Sequence, residues 1–531
     1  MDVTQSMFSS FASNFKGQLF SRIISFAINM YLLRRIDSDL LGVVNVSLTL
    51  FYTTSIFLVR EPMRKTFLSS DMPFSFIVNH LWLSPLISAV ISALLYVAVW
   101  MPFSTTPPVH VVPSYSFALF TFALSSWIES VAEPFVIVLL RFKLDNEYAL
   151  LQGLLVVMQR VSVLALIFGW KIQHIDAFCW AQVLSSLFYC LASIAIVYRK
   201  LCCRSGHKPI SFVPLSFRSL LPCLPFSPNF KDLSVFITFT GHSILKQVLA
   251  DSSAYILTFT GWISLSNQAA YDSIEKLGSM VARIVLAPLE HSAYLCFSSY
   301  FRRDILISKQ DESKIKAGLH SFSSLLHVTV VGGCVVFVFA MPYSSLVVSL
   351  YGGELLIKNS GATILRIYCG YIVIMAVNGI TECFAMSTMN NAQLISHGRF
   401  LLFAAPLHLF SSAILSFHYA ASGFVMANII NMLLRIAYSW KHTRLFLGER
   451  CPSVVDASPY LMTLVLLLFS LFVSTISLLI FGSVGGIIHN AAHVAIGGAL
   501  FLFVINHLYQ TDMVLRLFVD NLVGIQHSRY E

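Results

Sequence analysis

The sequence predicts an all-α polytopic membrane protein of about fourteen transmembrane helices, with two six-helix lobes around a central cavity and two further C-terminal helices. Three observations predict it. Of 531 residues, 57% are hydrophobic and only 11% are charged, where a soluble domain carries about a quarter charged residues. Mean hydropathy is +0.77. Continuous apolar runs of roughly 20 residues recur along the whole chain, and barrel strands would instead be about 10 residues long and alternating. This composition excludes a soluble enzyme, a disordered chain and a secreted disulfide scaffold.

The apolar runs place spans at about 9–33, 40–60, 74–100, 113–140, 149–170 and 176–198. A second block runs over 234–260, 270–299, 318–341, 360–386, 394–417 and 420–440, and a final pair over 459–482 and 492–510. The expected division is an N-terminal lobe 1–200, a cytosolic linker 201–232, a C-terminal lobe 233–445, and two extra helices with a tail over 446–531. The linker region carries Arg199, Lys200, Arg204, Lys208, Arg218 and Lys231. The N-terminal residues lack a charged n-region followed by a short apolar core, so the first span reads as a signal anchor.

Net charge is +9. The surplus sits in loops, which is a topology signal and not a nucleic-acid footprint. Even-numbered loops and the C-terminus carry about 20 Lys and Arg, odd-numbered loops about 4, which places both termini in the cytosol. Asn45-Val46-Ser47 fits a glycosylation pattern but falls inside a span, out of reach of that modification. The ten cysteines are scattered, mostly within spans such as those of Cys190, Cys334 and Cys369, and read as core packing. No metal and no cofactor is expected.

A short repeat relates the two blocks. Glu133-Pro134-Phe135 and Glu382-Cys383-Phe384 each lie in the fourth span of their block. Arg60-Glu61-Pro62 and Pro288-Leu289-Glu290 each lie in the second. Duplication with a pseudo-two-fold along the membrane normal accounts for both.

Charged side chains at bilayer depth cost roughly 2.5–3.5 kcal/mol each on insertion scales, yet many occur here. Lys16, Arg22, Arg60, Glu61, Glu129, Glu133 and Arg160 fall in the first block. Lys246, Asp251, Lys276, Arg283, Glu290, Arg366, Glu382, Arg399 and Arg435 fall in the second. Such a set is accommodated by a water-holding cavity. Arg283 and Glu290 share a helical face, as do Glu129 and Glu133. Two neighbouring carboxylates require a cation or a shared proton, so Glu129 and Glu133 are the candidate ion-coupling pair, with Arg60 or Arg22 as partner. Bases exceed acids, which suits an anionic head group such as a pyrophosphate and counts against an exporter of small cations. Arg60, Arg399 and Arg435 lie near span ends, where snorkelling to the interface accounts for them without a cavity role. No Walker A loop and no HExxH occurs. The odd-numbered loops are short and nearly free of acids, apart from Asp37, Asp39, Asp176 and Glu354. Transport is therefore favoured over catalysis.

The motifs resemble those of the Rft family of endoplasmic-reticulum membrane proteins. In spans 1–2 they are Leu40-Leu41-Gly42-Val43-Val44-Asn45-Val46, Leu48-Thr49-Leu50, and Arg60-Glu61 with Arg64. They continue with Ala132-Glu133-Pro134-Phe135, Leu245-Lys246-Gln247, Tyr271-Asp272, Leu277-Gly278-Ser279-Met280-Val281-Ala282-Arg283 and Pro288-Leu289-Glu290. The last is Asn378-Gly379-Ile380-Thr381-Glu382-Cys383-Phe384. One departure is Asp251-Ser252-Ser253-Ala254, where the family usually shows an acidic-Gly-acidic-basic cluster. The resemblance implies the fold of the multidrug, oligosaccharidyl-lipid and polysaccharide exporters. It also implies movement of dolichyl-pyrophosphate-linked oligosaccharide (Man5GlcNAc2) from the cytosolic to the lumenal leaflet for N-glycosylation. In that setting Arg22, Arg60, Lys246 and Arg283 would bind the pyrophosphate, with Glu61, Glu133, Asp251, Glu290 and Glu382 as acidic partners. The expected partners are membrane lipid, the glycolipid and proteins of the glycosylation machinery, with no nucleic acid. The alternatives are a non-transporting accessory factor of the same pathway and an ion-coupled small-molecule exporter.

Overall fold

The computed structural model describes residues 24–68, 74–142, 144–202, 217–222, 230–303, 305, 307–453, 457–482 and 486–517. No strand occurs among them. Among the described residues twelve helices are long and apolar enough to cross a membrane. In the first part of the chain these are α2 (Ser38–Leu68), α3 (Ile77–Phe103), α4 (Tyr115–Arg141), α5 (Asn146–Gly169) and α6 (His174–Leu201). Then come α9 (Leu265–Tyr300), α10 (Glu312–Tyr351), α11 (Gly361–Thr388), α12 (Asn391–Tyr419), α13 (Ala421–Arg450), α14 (Leu461–Phe481) and α15 (Ile487–Thr511). The first expected span is described only at its end, as the apolar helix α1 (Ile24–Leu33). The seventh is two helices, α7 (Phe230–Ala250) and α8 (Ser252–Thr260), broken at Asp251. About fourteen spans is therefore the reading that holds.

Two compact units divide the chain, 1–269 and 270–531. In the first, α4 is central, packed against α2 and α6. Its buried face is rich in small polar residues: Ser125, Ser126 and Ser130 are fully buried, as is Ser186 on α6. The Ser125 and Ser186 hydroxyls lie 2.6 Å apart. Small residues let membrane helices approach closely, which supplies the dispersion contacts that hydrophobicity cannot supply in lipid. Towards the other end of α4 the packing becomes apolar, through Val59, Met63, Phe135, Leu139, Leu151 and Val197. Near its start α2 contains a π-helical turn, Val43–Leu48. Asn45 is buried in that turn, as its position inside a span requires. Gly42 just before it faces the Leu265 carbonyl, 2.1 Å from where a Cβ would stand, so only glycine fits.

In the second unit α11 is central, between α10 and α13. A cluster of aromatic rings holds it: Phe297, Phe301, Phe322, Phe384 and Phe446, with Phe322 and Phe384 centroids 4.3 Å apart. The helix α12 begins with a capping box in which the Asn390 side chain accepts from the Gln393 backbone N–H and the Gln393 side chain accepts from that of Asn390. The 40 residues of α10 make a rod of about 60 Å, roughly twice the hydrocarbon thickness. It therefore extends beyond the bilayer, and its first turn ends in solvent. There Asp311 caps it, and hydrogen bonds from the Ser313 side chain and backbone hold the Asp311 carboxyl below its usual range.

The C-terminal pair α14 and α15 packs on α10 through Val331, Val335, Val338, Leu467, Val504 and Leu508. Polar contacts fix the register: the Tyr343 hydroxyl donates to the His493 carbonyl at 2.7 Å, and His327 Nε2 lies 2.7 Å from Asp512 Oδ2. Gly497 lies under Tyr343, whose hydroxyl would be 1.9 Å from an added Cβ. Gly497→Val is therefore expected to push α15 from α10 and lower stability by about 1–3 kcal/mol, the usual cost of overpacking. Thermal unfolding of the purified protein in detergent checks this; an unchanged midpoint would show that α15 does not pack there.

Candidate functional site

Charge is collected in three places. The first is a buried network between α2 and α4. On α2, Arg60 and Arg64 are one turn apart; on α4, Glu129 and Glu133 are one turn apart. Arg60 Nε donates to Glu133 at 2.6 Å and its Nη2 to Glu129 at 2.9 Å. Arg64 grips the same Glu133 through Nε at 3.0 Å and Nη2 at 2.8 Å, a two-point fork. Glu129 also accepts from the Tyr52 hydroxyl and from Ser186 at 2.9 Å. Arg64 Nη1 donates to Tyr148 at 2.5 Å, and Arg60 lies over the Tyr189 ring. Both carboxylates are fully buried. Two guanidiniums against two carboxylates make the network neutral, the condition under which buried charge is tolerable.

The expected second span closes at residue 60, but the helix runs to Leu68. Arg60, Glu61, Arg64 and Lys65 therefore belong to one helix, on two rows of i,i+4 spacing. Arg60 and Arg64 point to α4, and Glu61 and Lys65 point to α7. This second row is a triad: one oxygen of Glu61 accepts from Lys246 at 2.8 Å and from Lys65 at 3.1 Å. Unlike the network, it is open: the Lys246 side chain is 58% exposed and that of Lys65 40%. Asp251, close by in sequence, accepts from the Gln247 side-chain amide at 2.7 Å.

The third is in the second unit, around Glu382 on α11. Arg435 Nη2 reaches both carboxylate oxygens, at 2.7 and 2.6 Å. The Asn378 amide donates to Glu382 at 3.0 Å, and His397 Nε2 lies 3.5 Å away. Glu290 of α9 rests on Gly379, one turn before Glu382; its Oε1 would be 2.1 Å from a Cβ there, so the glycine admits the carboxylate. Cys383 Sγ lies 3.3 Å from the Glu290 carbonyl. The snorkelling expected of Arg60 and Arg435 is corrected: each guanidinium turns inward to a carboxylate on a neighbouring helix, Arg60 to Glu129 and Glu133 and Arg435 to Glu382. The repeat is thus matched in its glutamates but not in their partners. Glu133 is held by the second span of its block and Glu382 by the sixth.

Of the sequence-derived site residues, Arg60, Glu129 and Glu133 come together, as do Glu61 with Lys246 and Glu290 with Glu382. Arg22 lies outside the described residues. Arg283 lies in a π-helical turn, Ala282–Leu286, and its side chain is also outside them. Sequence reasoning missed Lys65, Tyr52, Ser186, Asn378 and His397 as members of these groups. The i,i+4 spacing of Glu61 and Lys65 was a readable signal for one of them. Among the described residues no group of three or more His, Cys, Asp or Glu side chains is arranged to hold a metal ion.

This arrangement of helices is found in solved structures of other membrane proteins. The chain aligns with "Lipid II flippase MurJ, inward closed conformation" at a TM-score of 0.62 and 12% identity, covering 93% of this chain and 98% of that one. An inward-facing multidrug resistance MATE family transporter of the MOP superfamily aligns at 0.55 and 13% identity, covering 81% and 96%. The fold is therefore the multi-pass helical fold of these MurJ and MATE structures. Residues 6–520 match the family described as "Rft protein". The Caenorhabditis elegans protein named Man(5)GlcNAc(2)-PP-dolichol translocation protein RFT1 is 40% identical over 97% of this chain and 99% of its own. The Mus musculus protein of that name is 31% identical over 80% and 79%. The chain belongs to the Rft protein family.

Proposed function

We propose that this protein translocates dolichyl-pyrophosphate-linked Man5GlcNAc2 across the endoplasmic reticulum membrane, from the cytosolic to the lumenal leaflet, for N-linked glycosylation. The observation that carries the reading is the 40% identity, over nearly the full length of both chains, to a relative named for that translocation. It is a translocation protein and not an enzyme. The flippase-type fold supports a carrier role, because a polar head must cross hydrocarbon while its polyprenyl tail stays in lipid. Both termini face the cytosol, from the loop charge bias. Lobes 1–200 and 233–445, joined by 201–232 and followed by 446–531, belong to the proposal on the strength of the sequence repeat.

Arg22, Arg60, Lys246 and Arg283 bind the pyrophosphate in this proposal, with Glu61, Glu133, Asp251, Glu290 and Glu382 balancing charge. Of the two whose side chains are described, Arg60 and Lys246, Lys246 is the more exposed. Arg60 engages phosphate only by releasing Glu129 or Glu133, and an ion coupled through that glutamate pair must displace a guanidinium in the same way. Protein partners in the glycosylation machinery are compatible with the cytosolic loops.

The test uses liposomes containing dolichyl-pyrophosphate Man5GlcNAc2 and a glycan-binding probe added outside. Purified protein is expected to raise the rate at which inner-leaflet glycan becomes accessible, at least tenfold over protein-free liposomes, and Arg283→Ala to remove the increase. No acceleration from folded wild-type protein would overturn the carrier role and leave an accessory factor.

A further inference from the structure

We propose that Glu290, Glu382 and His397 form a one-proton site in the second unit, in which the proton rests on Glu290 on one side of Glu382 or on His397 on the other. The inference goes beyond the translocation reading and does not depend on it.

The first observation is a charge count. Arg435 gives both of its contacts to Glu382. Glu290 stands one turn away along α11, in electrostatic range of both Glu382 and Arg435. Its carboxylate has no hydrogen-bond or ion-pair partner among the described residues. Two carboxylates thus share one guanidinium, and with a neutral imidazole the group carries one net negative charge inside membrane-spanning helices. The buried network of the first unit, by contrast, is balanced two against two. Among the described residues the surroundings supply no second cation. On α9 itself His291 is exposed, and Tyr294 accepts from Arg303. The α10 helix meets α9 with apolar residues such as Phe322 and Leu326, and its His327 is turned to Asp512. Lys441 and Arg444 on α13 are exposed, as is Arg399 on α12. A further acid, Glu275, lies in electrostatic range of Tyr371, which is also in range of Arg435, and adds only negative charge.

The second observation falls on the other side of Glu382. The His397 ring is buried, 4% exposed, and its Nε2 faces Glu382 Oε1 at 3.5 Å, too long for a good hydrogen bond. Neither ring nitrogen has a hydrogen-bond partner. Buried polar groups are as a rule partnered, and this ring gains its partner in the other charge state: as imidazolium it donates to Glu382. The neighbouring His442 is already bonded through Nε2 to the Thr388 hydroxyl at 2.9 Å, and Tyr438 lies against the His397 ring. One proton therefore neutralises the group in either of two places. Held by Glu290, it removes the repulsion between the carboxylates. Passed by way of Glu382 to His397 Nε2, it leaves Glu290 ionised and makes His397 a cation against Glu382, with the total charge unchanged. Glu and His side chains at membrane depth are the parts from which proton relays are built. A metal ion is disfavoured as the occupant because the Arg435 guanidinium already engages both oxygens of Glu382.

The experiment uses full-length protein in lipid nanodiscs and reads two signals between about pH 5 and about pH 9. The infrared carbonyl stretch reports a protonated carboxyl group directly. Wild type is expected to keep one such band near neutral pH, where ordinary carboxylates are ionised, and to lose it as the pH rises. Glu290→Gln is expected to remove the band. His397→Phe is expected to keep it at undiminished strength, since Glu290 then holds the proton alone. The second signal is thermal unfolding. Wild type loses stability as the proton leaves, whereas the glutamine of Glu290→Gln is uncharged at every pH. That variant is therefore expected to melt with wild type in acid and a few degrees above it in alkali, a gain that misfolding cannot produce. No band in either wild type or His397→Phe, or a band that survives Glu290→Gln, overturns Glu290 as the carrier, as does a Glu290→Gln protein that melts at or below wild type throughout. A band lost in His397→Phe, with a native melting profile, overturns the sharing. If exchange of sodium for choline shifts the melting of wild type but not of Glu290→Gln, the occupant is a metal ion and the proposal fails.

Discussion

Glu133→Ala is expected to destabilise the protein by about 3–5 kcal/mol, the cost of removing one partner from a buried ion pair. The reason is geometric. Glu133 is fully buried and accepts from both Arg60 and Arg64. Its loss leaves two guanidiniums between α2 and α4 with Glu129 as the remaining carboxylate. The measurement is thermal unfolding in detergent together with the yield of folded protein. Glu61→Gln serves as the contrast: it removes a partly exposed carboxylate, whose ion pairs are worth about 0–1 kcal/mol. A double-mutant cycle of Glu133→Ala with Arg64→Ala should return a coupling of about 0.5–3 kcal/mol. An unchanged melting point for Glu133→Ala would mean that the α2–α4 interface does not depend on this network.

Arg435→Ala is expected to have an effect of the same size, about 3–5 kcal/mol, in the second unit. Arg435 contacts both oxygens of Glu382. Without it, Glu382 keeps the Asn378 amide and His397 as neighbours but faces Glu290 across Gly379 without the guanidinium that pairs with it. Two carboxylates so placed repel in a low dielectric. The double variant Arg435→Met with Glu382→Gln removes both charges at similar volume and should recover most of the lost stability. Melting profiles of the three proteins settle the point. A single variant as stable as wild type, or a double variant no better than the single, would show that the ion pair is not what holds α11 to α13.

These two results bear on function because they separate structural charge from binding charge. Saturated, buried pairs hold helices together. The Glu61–Lys65–Lys246 triad on the neighbouring face of α2 is partly exposed. One residue of sequence, from Arg60 to Glu61, turns the side chain through about 100° and moves it from one role to the other.

Hydropathy alone determined the membrane class, the number of spans and most of their positions, because burial of apolar runs in lipid is a property of local composition. It also marked Arg60, Glu61, Glu133, Lys246, Glu290 and Glu382 as costly where they stand, since each charge interrupts an apolar run. The i,i+4 spacing of Glu129 and Glu133 showed that they share a face. What covers that face was not legible: Arg60 was one of two named partners, and Arg64 joined it only because α2 continues past the point where its hydropathy falls. A turn of charged residues does not end a helix whose backbone bonds are satisfied and whose charges are paired.

Only the tertiary structure decided which charge meets which. Pairing depends on the rotation of each helix about its axis and on its neighbours, and neither is encoded in a window of twenty residues. It turned Arg435 inward to Glu382, set Glu290 on Gly379 of α11, and broke the seventh span at Asp251. It gave Glu133 and Glu382, matched in the repeat, partners from different spans. It also laid Lys246 across Glu61 from 185 residues away, because α7 packs beside α2 and opposite charges on facing helices attract whatever their distance along the chain.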